Sequence, residues 1–165
     1  TPWKFDKNIH IDIVIFIWGQ MIPVELKYKT KGFSGMFGTD HIYLKNQGAQ
    51  DQGRYDFLLD IQRMERIIDS EKYPIQTGYA IFLTSDPSYW SVPRNGARAT
   101  VDDEFRIHEG VSIHGERNWK AKTGAGTKRN REGPIIMRGT YSMTWRDYIP
   151  ISTNPYKFTV AEIKK

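Results

Sequence analysis

Apolar residues form unbroken runs near the start of the chain. Residues 10–18 are largely β-branched and apolar, which predicts a strand buried on both faces. Gly19-Gln20 then offers a tight turn, and residues 22–28 predict a second strand folded back on the first. Residues 30–53 are rich in Gly, Lys, Gln and Asn, which predicts a loop with at most one short element.

The hydrophobic period changes to that of a helix after residue 54. The apolar positions recur at steps of three and four and are Phe57, Leu58, Ile61, Met64, Ile67 and Ile68. The charged positions that we assign to the opposite side are Asp56, Asp60, Arg63, Glu65 and Arg66. This pattern predicts an amphipathic helix of about four turns that ends before Pro74. Residues 78–84 predict a buried strand, and the strand–helix–strand order predicts parallel pairing through a crossover.

The second half of the chain carries weaker signals. Residues 85–133 are rich in Gly and Pro, and short strands are predicted there at 105–107 and 111–113. Residues 135–145 and 157–163 predict two further strands. The pattern as a whole predicts a mixed α/β fold with more strand than helix.

Composition narrows the classes of function. The chain has 165 residues and no cysteine, so residues 1–165 are expected to form one domain without disulfides, thiol catalysis or cysteine-bound zinc. The lack of cysteine favours a reducing compartment, here the cytoplasm. The longest apolar run, residues 13–18, is far shorter than the roughly 20 residues that cross a bilayer, so no membrane partner is expected. The chain starts at Thr1 rather than Met, which suggests an N-terminus trimmed from a longer protein.

Three charged residues interrupt the two apolar strands. With a turn at Gly19-Gln20, Asp12 lies opposite Lys27, and Glu25 shares their face as the diagonal neighbour of Asp12. Such a group costs several kcal/mol of desolvation unless its members are paired or bind a metal. The hairpin therefore predicts a site at these three residues.

Two interpretations of this group remain open on spacing alone. Asp and Glu oxygens suit Mg²⁺, with Mn²⁺ as a substitute, and a neighbouring lysine can hold the attacking water or offset charge on phosphorus. The alternative is a buried ion pair of Lys27 with Asp12 or Glu25 that has no catalytic role. The similar triplet Glu162-x-Lys164 near the C-terminus has no acidic partner strand and predicts a solvated tail.

Asp12, a strand turn and Glu25-x-Lys27 resemble the PD-(D/E)xK nuclease superfamily, in which an acid on one strand and an acid-x-Lys on the next form the metal site. The predicted helix and the apolar strand after it also fit. Residues 45–51, 53–57 and 78–84 are similar to those of uncharacterised bacterial members.

This resemblance implies a restriction-endonuclease-like fold: a central mixed sheet with a flanking helix and additional C-terminal strands. It implies that Asp12 and Glu25 bind Mg²⁺ and that Lys27 is the catalytic lysine of an endo- or exodeoxyribonuclease. A homodimer is compatible with it. A Gln-x-x-x-Tyr element of some branches is not matched, and Gln47, Gln50 and Tyr55 are candidates for accessory positions near the site.

Basic residues suggest where nucleic acid would bind. The chain has 24 Lys and Arg against 19 Asp and Glu, a formal charge of +5 that weakly favours a polyanionic partner. The residues predicted to contact nucleic acid are Lys29, Lys31, Arg94, Lys120, Lys128, Arg129 and Arg131. Two alternatives to a nuclease are a non-catalytic nucleic-acid-binding module with the same fold and a protein-interaction domain whose charge is incidental.

Overall fold

The described part of the protein is built from short strands and one long helix. The computed structural model describes residues 3–6, 9–94, 98–149 and 155–165. The strands, in chain order, are β1 (Trp3–Asp6), β2 (Ile9–Ile11), β3 (Ile13–Ile17), β4 (Gln20–Lys29), β5 (Phe33–Phe37), β6 (Asp40–Leu44), β7 (Thr77–Thr84), β8 (Ser112–Arg117), β9 (Ile135–Ser142), β10 (Arg146–Ile149) and β11 (Tyr156–Lys164). The helical segments are α1 (Gln50–Asp69), α2 (Ala125–Lys128) and a 3-10 turn at Asp103–Phe105. The predicted mixed α/β fold is confirmed.

Five of these strands form a mixed sheet in the order β10–β11–β7–β4–β3. β4 and β7 run parallel, whereas the three other pairings are antiparallel. α1 lies between β4 and β7 in the chain and packs on one face of the sheet, because a parallel pair needs a crossover. The predicted crossover is therefore confirmed. Within the described ranges, no helix combines the length and the apolar character needed to cross a bilayer.

The apolar stripe of α1 lies at the centre of the core. Ile61 and Met64 are fully buried, as the helical spacing predicts. Gly78 on β7 allows a close approach of helix and sheet, because a Cβ at this position would lie 2.7 Å from the Met64 sulfur. α1 begins at Gln50, earlier than the pattern predicts, and it ends at Asp69.

The prediction of one buried strand over residues 10–18 is wrong. The chain bends at Asp12, so β2 pairs with β1 in a separate two-stranded sheet and β3 joins the main sheet. β3 is an edge strand, and its three isoleucines are between 42% and 47% exposed on the side of the sheet that faces away from α1. An unbroken apolar run indicates a strand, but it does not show that both faces of the strand are covered.

Several loop predictions also differ from the structure. Residues 30–53 contain the hairpin β5–β6 and the start of α1 rather than a plain loop. The strand predicted at 105–107 is wrong, because the Thr100 N–H donates to the Asp103 carboxylate at 2.9 Å and a 3-10 turn follows. The other strands predicted in the second half overlap β8, β9 and β11, although 111–113 begins one residue before β8 and 135–145 runs three residues past the end of β9.

Candidate active site

A two-residue turn sets the register of the β3–β4 hairpin. Trp18 and Gly19 form the turn, with φ angles of 46° and 76°, the left-handed values that a type I′ turn requires. The predicted turn at Gly19-Gln20 is wrong by one residue. Ile17 pairs with Gln20, and Phe16 pairs with Met21. The pairing shifts by two residues, and every side chain keeps its face because strand side chains alternate with a period of two.

This register places Asp12 beside Glu25 rather than opposite Lys27. The Asp12 carboxylate accepts a hydrogen bond from the Leu26 N–H at 2.8 Å, and it lies close enough to the Glu25 side chain to raise the pKa of that carboxyl. Asp12 is exposed, whereas Glu25 is buried. The two predicted carboxylates therefore meet next to the edge strand, on the side of the sheet that carries α1.

Lys27 shares this face, but its ion-pair partner lies on α1. Lys27 Nζ is 2.9 Å from Asp60 Oδ2, and the Asp60 side chain is only 8% exposed. Arg63 joins the group from the next turn of the helix, because its guanidinium lies 3.1 Å from Asp60 Oδ1 and 3.3 Å from Glu25 Oε1. We call Asp12, Glu25, Lys27, Asp60 and Arg63 the charged cluster.

Asp60 and Arg63 are the two members of the charged cluster that the sequence pattern does not select as site residues. The pattern places Asp60 and Glu65 on the solvent side of α1, whereas both are buried. Asp60 and Arg63 are three residues apart, so they lie on one side of the helix and reach β4 together. The signal was present, since a 3.6-residue period puts Asp60 between Phe57 and Ile67 on the helix surface.

Burial and neighbouring acids raise the pKa values of two acids in the charged cluster, Glu25 and Asp60. Burial is the main cause that raises the pKa of Glu25 to about 8, and nearby Asp60 and Asp12 add to it, while Arg63 opposes it. The raised pKa favours the protonated form of Glu25, the more buried of the two carboxyl groups that meet here. Burial also raises the pKa of Asp60, although Lys27 and Arg63 lower it.

The donor set decides how well a divalent cation would fit. In the described ranges, no group of three or more His, Asp or Glu side chains is arranged to hold a metal ion. Asp12 and Glu25 do offer two adjacent carboxylates, and Mg²⁺ often binds through one or two carboxylates together with waters and substrate phosphate. A cation beside them would favour the ionised form of Glu25, as the Arg63 guanidinium already does. The pair therefore fits Mg²⁺ bound by the protein and a phosphate together.

The three accessory candidates contact other parts of the molecule. The Gln47 side-chain oxygen accepts a hydrogen bond from the Thr30 N–H at 3.1 Å. The Gln50 side-chain amide donates to the Asp86 carboxylate at 2.9 Å. Tyr55 is buried, and its hydroxyl donates to the Gly133 carbonyl at 2.8 Å. None of these three hydrogen bonds reaches the charged cluster, and each of them joins a loop to α1 or to the end of β4.

The predicted nucleic-acid contacts divide into paired and exposed cations. Lys120 lies 2.6 Å from Asp103, and Arg131 lies 2.6 Å from Asp56 on α1. The Lys29 side chain extends from β4 toward α1. A Cβ added to Gly53 on α1 would lie 3.4 Å from the Cε of Lys29. The exposed or half-exposed members that no ion pair includes within the described ranges are Lys29, Lys31, Arg94, Lys128 and Arg129.

The Arg131 ion pair places the basic loop near the charged cluster. Asp56, Asp60 and Arg63 follow one another along one side of α1, so Arg131 reaches the helix about one turn from Asp60. The Gln52 amide also donates to the Thr127 carbonyl at 3.1 Å, which ties the same loop to the first turn of the helix. The loop that carries Lys128 and Arg129 therefore borders the candidate site.

Comparisons with known proteins give no relative for this chain. No protein-family model matches it. No curated protein matches it, and no solved structure does. What the charged cluster can do is therefore argued from its chemistry.

Proposed function

We propose that the protein is a Mg²⁺-dependent nuclease that hydrolyses phosphodiester bonds in DNA, with a restriction-endonuclease-like fold. The observation that carries the proposal is the meeting of the Asp12 and Glu25 carboxylates, with Lys27 two residues further on the same strand face. The resemblance to the PD-(D/E)xK superfamily agrees with this arrangement, since it implies the same three residues.

Four members of the charged cluster have a direct role in this proposal. Asp12 and Glu25 would hold Mg²⁺, which supplies a Lewis acid for the phosphoryl oxygen and an ionised water. Water adds to phosphorus, one P–O ester bond breaks, and the proton lost by the water is balanced by one gained at the leaving oxygen. Lys27 places its ammonium beside the phosphate and offsets the charge that develops there. Asp60 fixes the Lys27 ammonium at 2.9 Å.

A non-catalytic nucleic-acid-binding module is the second candidate, and one observation favours it. Lys27 and Arg63 already pair with Asp60 and Glu25, so the charged cluster is neutralised largely by its own members. A closed network of this kind stabilises the contact of β4 with α1 without any catalytic role. Such a module would bind DNA in the presence of a chelator and would be indifferent to Asp12→Ala.

Cleavage of DNA tests the proposal directly. Duplex and single-stranded DNA are incubated with the protein and Mg²⁺, and the rate of cleavage is compared with that of Lys27→Ala. We expect the substitution to lower the rate at least about 100-fold, because one preorganised charge at the reacting phosphate is typically worth that much.

Lys164→Ala is the matched control, because Lys164 follows Glu162 in the same spacing as Lys27 follows Glu25. Its ammonium lies 3.0 Å from Glu162 on an exposed surface of β11, so we expect its cleavage rate to equal that of the unchanged protein. Equal rates for the Lys27 and Lys164 variants would defeat the nuclease proposal.

A further inference from the structure

The hairpin β5–β6 stands apart from the rest of the fold. Its strands pair with each other from Phe33↔Leu44 to Phe37↔Asp40, and among the described elements they contact little else. Strands of five residues extend about 17 Å at 3.4 Å per residue. The hairpin is therefore an arm that projects from the end of β4, the strand that carries Glu25 and Lys27.

Hydrogen bonds clamp the root of this arm. Thr30 is buried, and its N–H and carbonyl bond to the Gln47 amide oxygen and N–H at 3.1 and 2.9 Å. The Thr30 hydroxyl donates to the Lys45 carbonyl at 2.7 Å, and the Gly32 N–H donates to Asn46 at 3.3 Å. Thr30 comes three residues after Lys27, so the clamp fixes the arm relative to the candidate site.

One face of the arm presents polar and aromatic groups to solvent. Ser34 pairs with Tyr43, and Met36 pairs with His41, so these four side chains share a face. Tyr43 is 73% exposed and Met36 is 63% exposed. Ser34 and His41 are also exposed and hydrogen-bonded to each other at 3.2 Å. A solvent-exposed face with these groups has donors, acceptors and apolar surface for a partner.

Charge along the arm distinguishes its root from its tip. Lys31 and Lys45 lie at the root, and both are exposed. Asp40, at the tip, is the only acidic residue between residues 30 and 47. Cations at the root suit a phosphate backbone, whereas an acid at the tip repels phosphate and can accept from the cytosine amino group in the major groove.

We infer that this arm enters the major groove of duplex DNA, with Tyr43, His41 and Asp40 toward the base edges and Lys45 at the backbone. The major groove is about 12 Å wide and admits a two-stranded ribbon. The inference rests on the proposed nuclease function and specifies its substrate as a DNA duplex. The major groove of duplex RNA is too narrow for side chains to read, so the arm has no such contact there.

Binding in the presence of EDTA separates this inference from catalysis. Anisotropy of a labelled 20-base-pair DNA duplex is measured for the unchanged protein, Tyr43→Ala and Lys45→Gln over a range of salt concentrations. We expect Tyr43→Ala to weaken DNA binding about tenfold with an unchanged salt slope, because its contacts are with bases. Lys45→Gln should reduce the salt slope by about one, because one phosphate contact is lost.

Tyr148→Ala and Lys164→Gln are the matched controls. Tyr148 is 57% exposed on β10, the edge strand at the other end of the sheet order, and Lys164 lies on β11. Both control variants should bind DNA like the unchanged protein. The same duplex in RNA form should bind the Tyr43 variant and the unchanged protein equally.

Three results would overturn the inference. One is equal DNA affinity for the Tyr43 and Tyr148 variants while the unchanged protein binds and cleaves DNA, which leaves the nuclease proposal standing and assigns the arm to a protein partner. Another is an equal loss of affinity for RNA in the Tyr43 variant. Lack of DNA binding by the unchanged protein would remove both the inference and the proposed function.

Discussion

Glu25 lies between a carboxylate that competes for its proton and a guanidinium that favours its ionisation. Asp12 approaches from the bend before β3, and Arg63 approaches from α1 at 3.3 Å. Burial decides the balance and raises the pKa of Glu25 to about 8. The raised pKa favours the protonated form of Glu25 at neutral pH, so ionisation of this acid opposes folding.

The free energy of unfolding should therefore fall as the pH rises from about 4.5 to the pKa of Glu25 in the folded protein. The folded protein holds this proton up to a pKa of about 8, whereas the unfolded chain loses it near 4.5. Between these values unfolding releases a proton, so the free energy of unfolding decreases with increasing pH. Stabilisation by Glu25 is complete below about pH 4.5 and is lost as the pH rises through about 8.

Glu25→Gln measures this contribution. Urea unfolding of both proteins at pH 5 and pH 9 gives the decrease in the free energy of unfolding for each. We expect the decrease to be smaller in Glu25→Gln, by an amount on the order of 3 kcal/mol. The same decrease in the variant and in the unchanged protein would show that Glu25 is ionised throughout this range.

Asp60 is a positioning residue for Lys27 in the nuclease proposal. Asp60→Asn removes the charge that holds the Lys27 ammonium at 2.9 Å. We expect kcat for DNA cleavage to fall about 10- to 100-fold with little change in KM, since the phosphate still binds but the ammonium is misplaced. Asp60→Glu should restore part of kcat.

Asp69→Asn is the control for Asp60 on the same helix. Asp69 pairs with Arg138 at 3.0 Å on an exposed surface, far along α1 from the charged cluster. Its kcat should match that of the unchanged protein. A rise in KM without a fall in kcat for Asp60→Asn would assign Asp60 to substrate binding instead.

Whether the position of each of these residues could be predicted depended on whether the residue belongs to the strand hairpin or to the helix. Asp12, Glu25 and Lys27 could be placed together from the period of two in strands, and the register error of two residues left them on one face. The polarity of Asp60 predicts the solvent side of α1, and only its angular position between Phe57 and Ile67 indicates burial, because the partners that stabilise this acid lie on another element. The bond to Lys27 joins residues 33 positions apart, and such contacts leave no local pattern.

The contact of α1 with β9 depends on a second buried acid. Glu65 is 3% exposed and accepts from the Arg138 N–H at 2.9 Å, the Gly139 N–H at 2.7 Å and the Tyr141 hydroxyl at 2.7 Å. Two of these donors are backbone groups that β9 leaves unpaired beside the helix. Glu65 therefore joins the helix to the second half of the chain.

Glu65→Ala should destabilise the protein strongly. One buried and two partly buried donors lose their acceptor, and we expect the free energy of unfolding to fall by about 3 kcal/mol, as measured in urea. Tyr141→Phe removes one of the three bonds and should cost about 1 kcal/mol. Glu162→Ala, at an exposed position on β11, should change the stability by less than about 0.5 kcal/mol. A similar small effect for Glu65→Ala would show that water replaces the lost acceptor.

Helices and strands could be predicted from the sequence where one clear pattern of apolar residues and helix-ending residues defines them. The helix and the crossover follow from a period of 3.6 and from the stop before residue 74. The hairpin turn was missed because Trp18 adopts a left-handed φ of 46°, which is uncommon for a bulky residue. The arm β5–β6 was missed because its two short strands alternate weakly and are rich in polar residues.

Some basic residues of the protein form ion pairs, whereas others are exposed and belong to no ion pair within the described ranges. Arg131 and Lys120 are paired with acids, whereas Lys128 and Arg129 belong to no ion pair within the described ranges. Paired cations contribute little to binding an outside anion, because their field is already compensated. Attraction of an outside anion therefore depends on exposed cations that no ion pair includes, such as Lys128 and Arg129, more than on the formal charge of +5 as a whole.

The double variant Lys128→Gln and Arg129→Gln tests this distribution. We expect the slope of DNA affinity against salt, measured by anisotropy in EDTA, to decrease by about two, since two phosphate contacts are lost. Lys157→Gln with Lys164→Gln on β11 removes the same charge elsewhere and should leave the slope unchanged. Equal slopes for both double variants would show that only net charge matters.

Binding of a divalent ion by the two carboxylates is the most direct test of the account. Mn²⁺ is titrated into the protein, and the free ion is followed by electron paramagnetic resonance, with Asp12→Asn and the exposed-acid control Asp147→Asn alongside. We expect one Mn²⁺ per chain, at least about tenfold weaker binding in Asp12→Asn and no change in Asp147→Asn. The absence of Mn²⁺ binding, or equal binding by all three proteins, would contradict a metal site between Asp12 and Glu25.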